Sequence, residues 1–252
     1  MLRITVWNEN YHERTDPKTA AVYPEGIHGT LAGFLRELPD ARVTCATLDQ
    51  PEQGLPDELL EQTDVLIWWG HMCHGMVEDA LVDKIQKRVL KGMGLIVLHS
   101  GHYSKIFRRL MGTTCDLRWR ESSYERLFCV QPSHPIARGL PEHFELGEEE
   151  CYGERFDIPA PDETIFLGWY DIGEVFRAGC TWYRGYGKVF YFQPGHETFR
   201  SFYDPNIQKI IKNACLWAAP AVWRTVSGSP MIETTLEELR LNGTETAGGD
   251  AI

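Results

Sequence analysis

The sequence lacks the signatures that mark the commoner enzyme classes. It contains no GxGxxG turn and no P-loop, so nothing in it supports a nucleotide cofactor. HExxH is absent, which removes the zinc-protease class, and no GxSxG elbow is present. The seven cysteines, at 45, 73, 115, 129, 151, 180 and 215, include no CxxC pair, which excludes a zinc ribbon and a thioredoxin-type centre. Cys45, Cys129 and Cys215 sit in apolar runs and read as core residues. Basic charge is in short supply: 25 Lys and Arg stand against 36 Asp and Glu, a net charge of −11. A nucleic-acid partner wants a basic face and is not expected. No apolar run approaches membrane-spanning length, and Met1–Trp7 reads as a strand rather than a signal peptide. The expected setting is a reducing cytoplasm, away from membranes.

What is present is a chain of 252 residues, long enough to bury a core without disulfide or metal staples. Two of its apolar runs end in histidines. Gly94–Leu98 leads into His99-Ser100-Gly101-His102, and Asp64–Gly70 leads into His71-Met72-Cys73-His74. Continuous apolar runs of this kind are buried parallel strands. Ligands of open α/β sheets bind outside the carboxyl ends of such strands.

The first half alternates strand and helix signals. Strands are expected at 2–7, 42–48, 64–70 and 94–98. Helices are expected at 26–38, 57–62, 77–90 and 103–111, with 8–24 a long polar loop. That alternation argues for a parallel sheet with helices on both faces. Beyond 113 the pattern changes to strand-like pieces such as Leu127–Val130, the turn-rich segment 133–141 with His134 and His143 in structural turns, and the acidic run Glu148–Glu150. A strand at 164–170 and a hairpin of 178–183 with 188–193 follow. Asp204-Pro205 then opens a helix with apolar positions 207, 210, 211, 214 and 217. Residues 1–220 form the expected domain. Residues 221–252 are a C-terminal extension with a capping box at Thr235–Glu238 and a frayed, glycine-rich end from 243.

If the sheet is parallel, four strand ends converge: Asn8 to His12, His71 to His74, His99 to His102, and His196-Glu197. Imidazole titrates near neutrality, so it serves as base, acid or metal ligand without a large environmental shift. Together with Glu150, the histidines suit either zinc binding or proton transfer on a polyol. Any single histidine is more often structural, and the spacing of 71/74 and 99/102 is a weak metal signal. Ser100 as a nucleophile and Cys73 as a reactive thiol are weaker alternatives. Aromatic residues near these loops, among them Trp68, Trp69, Tyr103, Tyr152, Trp169, Tyr170 and Trp182, are mostly core, with one or two expected to line a sugar-stacking platform.

Taken in order, several segments resemble the ThuA-like (trehalose utilisation) family over 1–220. They are Gly70-His71, Leu98-His99-Ser100-Gly101-His102, His134-Pro135-Ile136-Ala137-Arg138-Gly139-Leu140-Pro141, Glu149-Glu150-Cys151-Tyr152, and Tyr186 to Tyr191 through Gly195-His196-Glu197. The resemblance implies a class I glutamine amidotransferase-like fold: a flavodoxin-like three-layer α/β sandwich with a mostly parallel central sheet and an antiparallel hairpin near the C-terminal part. In that fold the fourth strand's elbow holds a catalytic Cys with Gly two residues later. Here His99 stands at the Cys position and Gly101 at the Gly position, so glutaminase chemistry lacks its nucleophile. The amidotransferase His-x-Glu end is only echoed by His196-Glu197, and Glu149 stands where the family usually has Asp.

The resemblance further implies carbohydrate catabolism, because ThuA-like proteins are encoded with oxidoreductases that make 3-keto glycosides. The expected enzyme abstracts a proton beside the keto group, with isomerisation or elimination following. His99, Glu150 and His196 are the expected catalytic residues, Glu150 or His196 being the base. His71, His99 and His196 are expected to hold zinc or another divalent ion or to polarise the carbonyl. Asn8, His12, His28, Trp69, His102 and Tyr152 are expected to contact the sugar. A metal-dependent amide or ester hydrolase and a non-catalytic sugar-binding module stand as alternatives. Self-association into a homo-oligomer is expected from related folds.

Overall fold

The run Val65–Trp69 forms a strand buried at every position, as does Gly94–Leu98. Successive strand residues face opposite sides of a sheet, so complete burial means that both faces are covered. The computed structural model of the protein describes residues 1–224 and 233–245. Strands β1 (Leu2–Asn8), β2 (Ala41–Thr47), β3 (Val65–Trp69) and β4 (Gly94–Leu98) alternate with helices α3 (Gly26–Leu35), α4 (Asp57–Gln62), α5 (Asp79–Leu90) and α6 (Lys105–Met111). Helix α5 buries Leu81, Val82, Ile85 and Val89, a single stripe at helical spacing. The segment expected to be a polar loop, 8–24, instead holds two short helices, α1 (His12–Thr15) and α2 (Pro17–Val22). Asp16 caps α2 by accepting from the Lys18 and Thr19 amides, with Pro17 at the first helical position.

Past α6 the alternation ends. β5 (Arg118–Cys129), β6 (His143–Gly153), β7 (Glu163–Tyr170), β8 (Val175–Arg184) and β9 (Gly187–Phe192) follow. Then come α7 (Pro205–Ala218), capped by Asp204 as expected, and α8 (Leu236–Glu245). The capping box is formed: Thr235 N–H donates to Glu238 Oε2 at 2.8 Å and Glu238 N–H to Thr235 Oγ1 at 3.2 Å. The helix continues through 245, beyond the expected start of the frayed end at 243; residues 246–252 lie outside the described residues.

The nine strands of the described residues join one sheet in the order β2-β1-β3-β4-β9-β8-β7-β5-β6. The expectation of a mostly parallel sheet is corrected here. The pairings from β2 to β9 are parallel and those from β9 to β6 are antiparallel. The strands after β4 return through turns and loops without helical crossovers, and chain reversals of that kind give antiparallel neighbours. Helices α3 and α7 pack on each other and on the sheet, while α4, α5 and α6 pack in series.

Register sets up the site. Asn8, Trp69, Leu98 and Phe192 form one row across the parallel half. The residues that follow them, Glu9, Gly70-His71, His99 and Gln193, therefore emerge along one rim. β6 lies five strand spacings from β4 in the order, about 24 Å in a flat sheet. Its end nevertheless meets the rim, because the antiparallel half curls back over it. Register shifts between Arg120 and Glu125 in β5, and between Thr164 and Gly168 in β7, supply local bends of the kind bulges introduce.

Candidate functional site

His99 occupies the elbow after β4 with φ of +50°, a strained strand-to-helix turn that puts its side chain at the rim. Gly101 is needed behind it, because a Cβ there would come within 2.9 Å of Val97 Cγ1. His99 is fully buried. Its Nδ1 is 2.8 Å from the Gln193 carbonyl oxygen, which can only accept, so Nδ1 carries the proton. Nε2 is 3.0 Å from Glu150 Oε2 and 3.3 Å from the Tyr152 hydroxyl, and the Tyr152 ring stacks on the imidazole. Burial works to lower the His99 pKa. The Glu150 hydrogen bond and charge, with Glu149 and the Gln193 carbonyl, outweigh it and raise it. The same pairing holds Glu150 below the usual carboxylate value against the opposing effect of burial. The two form an imidazolium–carboxylate pair. Burial first, then the Glu150 charge, keeps the Tyr152 phenol protonated well above its ordinary value.

His196 follows β9 in a turn that Gly195 makes with φ of +133°; a Cβ at that position would strike the Phe202 ring. Its Nδ1 accepts the Thr198 backbone N–H at 3.3 Å and lies 2.8 Å from Thr198 Oγ1. Because the backbone donor cannot reverse, this hydrogen-bond network assigns the proton to Nε2. Burial and the positive charge of His99 push the His196 pKa down to about 4, so the ring is neutral at neutral pH.

Two buried carboxylates hold the turns in place. Glu9 accepts the backbone N–H groups of His71, Met72 and Cys73 at 2.7, 2.8 and 2.9 Å. Glu149 accepts those of Gly195 and His196 at 2.9 and 3.2 Å, together with the Ser201 hydroxyl. Glu149, the residue whose role the Glu-for-Asp swap put in question, is therefore a brace rather than a reactive group. Burial lifts its pKa, opposed by His99, Ser201 and the backbone donors. Glu9 was not singled out from sequence; its position directly after the β1 strand end was the available signal.

These groups open on a cleft of about 500 Å³, lined among others by His71, Glu150, Tyr152, His196, His102 and Trp119. That volume is typical of small-molecule sites. Tyr103 and Trp119 are the exposed aromatic residues on its wall; Trp119 escaped sequence reasoning because it stands alone in a charged stretch. His102 reaches the cleft, with Nδ1 held by the Cys115 carbonyl at 2.7 Å, and burial drives its pKa down to about 3.

Other expected contacts fall elsewhere. Asn8 is fully buried and bonds Glu13, the Asn10 amide and His28, so it folds the β1–α1 turn. His28 lies on α3 beside it, off the cleft wall. Trp69 is a core residue whose indole N–H donates to the Gly195 carbonyl at 3.0 Å. Ser100 lines the cleft but donates its hydroxyl to the Gly70 carbonyl at 2.8 Å, and no imidazole partners it as a base. The Cys73 thiol is buried, with its pKa raised by burial and by Glu9.

His12 sits beside the cleft group, its Nδ1 3.3 Å from Glu197 Oε1; His71 Nδ1 is also 3.3 Å from that oxygen. Among the described residues, two ion-sized groupings of donor atoms occur: His12, His71 and Glu197, and His71, Glu150 and His196. Neither includes His99, whose two nitrogens are committed to Gln193 and to Glu150. His99, expected from sequence as a metal ligand, stands outside both groupings.

No curated protein matches the sequence. Among solved structures, a ThuA-like protein from Parabacteroides merdae superposes with a TM-score of 0.65 at 14% identity, covering 91% of this chain and 92% of that one. A cytoplasmic protein from Salmonella typhimurium gives a TM-score of 0.59 at 11% identity over 87% of this chain and 100% of its own. A β-galactosidase from Bacillus circulans gives 0.56 at 13% identity, covering 87% of this chain and 32% of that one. At these identities the likeness is one of fold. The family model described as trehalose utilisation matches residues 3–218, and the chain belongs to that ThuA family.

Proposed function

We propose that the protein is an enzyme of carbohydrate catabolism that performs acid–base chemistry on a 3-keto glycoside. Membership of the trehalose-utilisation family supports the substrate class. The observation that carries the chemistry is the Glu150 carboxylate, in the cleft wall and 3.0 Å from the buried His99 imidazole.

In this reading a keto group at C3 acidifies the proton on C2. Glu150 takes that proton and the C–H electrons move into the enolate, whose oxygen the His196 Nε2–H stabilises. A pKa below the ordinary carboxylate value makes Glu150 a weak base. The reaction therefore depends on the acidified substrate and on fixed donors. The enolate then expels the C1 oxygen substituent, leaving a C1–C2 double bond conjugated to the ketone, and the departing alkoxide takes up the proton that Glu150 acquired, which restores the carboxylate. Tyr103 and Trp119 offer apolar faces for the sugar rings. His99 reaches no substrate; it positions Glu150 and keeps it charged. We propose the cytoplasm as the compartment, in keeping with the absence, among the described residues, of a helix long and apolar enough to cross a membrane.

The test is incubation of purified, metal-replete protein with 3-keto-trehalose, followed by NMR. Release of one glucose per substrate with an unsaturated keto sugar is expected. Tight binding with no change in the sugar contradicts the reading.

A further inference from the structure

We infer that His12, His71 and Glu197 form a site for one divalent transition-metal cation, zinc or an ion of similar chemistry, beside the Glu150–His99 pair. The three come from separate parts of the rim: α1, the turn after β3 and the turn after β9. Nδ1 of His12 and Nδ1 of His71 are buried and each lie 3.3 Å from Glu197 Oε1, within ion-pair distance but without the geometry of a hydrogen bond. Glu197 Oε2 is likewise buried with no hydrogen-bond partner, its nearest imidazole nitrogen, His196 Nε2, standing 3.5 Å away. Buried polar atoms are ordinarily satisfied, so three orphaned donor atoms at one spot call for a common partner.

The spacing fits a cation. Ligand atoms about 2.0–2.2 Å from a tetrahedral zinc ion stand about 3.3–3.6 Å apart. Two imidazoles and one carboxylate make a donor set that leaves a coordination position for water or a sugar oxygen. The frame is built in advance: Glu9 fixes the turn that carries His71, and Glu149 fixes the turn that carries Glu197 through the amides of Gly195 and His196. His71 also lines the cleft, which gives an ion its way in.

The overlapping group of His71, Glu150 and His196 is the weaker candidate. Glu150 is committed to His99 at 3.0 Å, and His196 Nδ1 takes the Thr198 amide, leaving a proton on Nε2 where a metal would need a lone pair. The set expected from sequence, His71, His99 and His196, fails for the same reason at His99.

The site is tested without reference to turnover. Chelator-stripped protein is titrated with Co²⁺, followed by its visible d–d absorption, and then challenged with Zn²⁺. One equivalent of Co²⁺ per chain, displaced by zinc, is expected. His12→Gln and Glu197→Gln should each weaken binding at least 100-fold, while Glu150→Gln binds as the parent does. Absence of stoichiometric binding overturns the site, as does parental affinity in both ligand variants or loss of binding in Glu150→Gln with retention in His12→Gln. Circular dichroism checks that each variant folds. If neither ligand variant folds, a zinc-soaked crystal of the parent decides: the anomalous peak must fall among His12, His71 and Glu197. Because Glu150→Gln is expected to keep the metal and lose the sugar reaction, failure of the site and failure of the proposed reaction give different results.

Discussion

The two halves of the sheet contribute different things to one cleft. The parallel half, β2 to β9, delivers His71, His99 and His196 at its strand ends. The antiparallel half delivers Glu149, Glu150 and Tyr152 from β6, the strand farthest from β4 along the other edge. The Glu150–His99 pair is split between the halves, whereas Glu197 meets His12 and His71 within the parallel half. The Glu150–His99 contact exists only because the antiparallel half folds back across the rim, where the Gln193 side-chain amide donates to the Glu150 carbonyl at 2.9 Å and secures the seam. The parallel half thus supplies the imidazoles, and the antiparallel half supplies the carboxylate that keeps His99 charged.

The largest effect should follow removal of the antiparallel half's carboxylate. Glu150→Gln is expected to lower kcat on 3-keto-trehalose about 10²–10⁴-fold with substrate affinity kept within a few-fold, read by steady-state kinetics and calorimetry. Next is the brace between halves. Glu149→Gln leaves the amides of Gly195 and His196 poorly matched and should reduce stability by about 3 kcal/mol, measured as the shift in urea unfolding free energy. Within the parallel half, Trp69→Phe loses the indole bond to Gly195 and some core volume. A loss of about 2 kcal/mol is expected in the same assay.

The smallest effect concerns pH. Burial would raise the Glu154 pKa, but its hydrogen bonds and charge contact with Arg177 on β8, together with backbone donors, hold it below the ordinary value. A depressed carboxylate pKa contributes stability above its unfolded value that is lost as pH falls through the folded one. Arg177→Met should therefore lower Tm at neutral pH and flatten the fall in Tm below about pH 4.3, the unperturbed Glu value. Parallel Tm curves for parent and variant would remove this pair from the account.

The difference between the halves also explains what could be read from sequence. Strands β1 to β4 are buried on both faces, so their runs are unbroken and their ends easy to place. In β5 the buried alternating positions 123, 125 and 127 are Ser, Glu and Leu, and two polar residues among three hide a strand from any hydropathy pattern. In β6 the run Glu148–Glu150 has no apolar alternation to mark a strand, yet Glu149 and Glu150 are buried against the rim. Helix α2 carries the same Asp-Pro opening as α7, but Asp16-Pro17 lies among charged residues with no apolar stripe to confirm it. His99 and His196 were legible from the strand ends they follow, and Glu150 was grouped with them before the family resemblance added its motif. Glu9 was not assigned, because a carboxylate that receives backbone amides leaves no motif and acts only through the fold; Glu197 was read only as the end of the His196-Glu197 pair.

The central claim is that Glu150 acts as the base on a carbon acidified by a neighbouring ketone. Proton NMR of 3-keto-trehalose with the protein in D₂O tests it most directly. Loss of the C2 proton signal of the keto ring, or deuterium at C2 in recovered substrate, with neither in Glu150→Gln, is the predicted result. Sugar bond cleavage with the C2 proton fully retained, or exchange undiminished in Glu150→Gln, would contradict it.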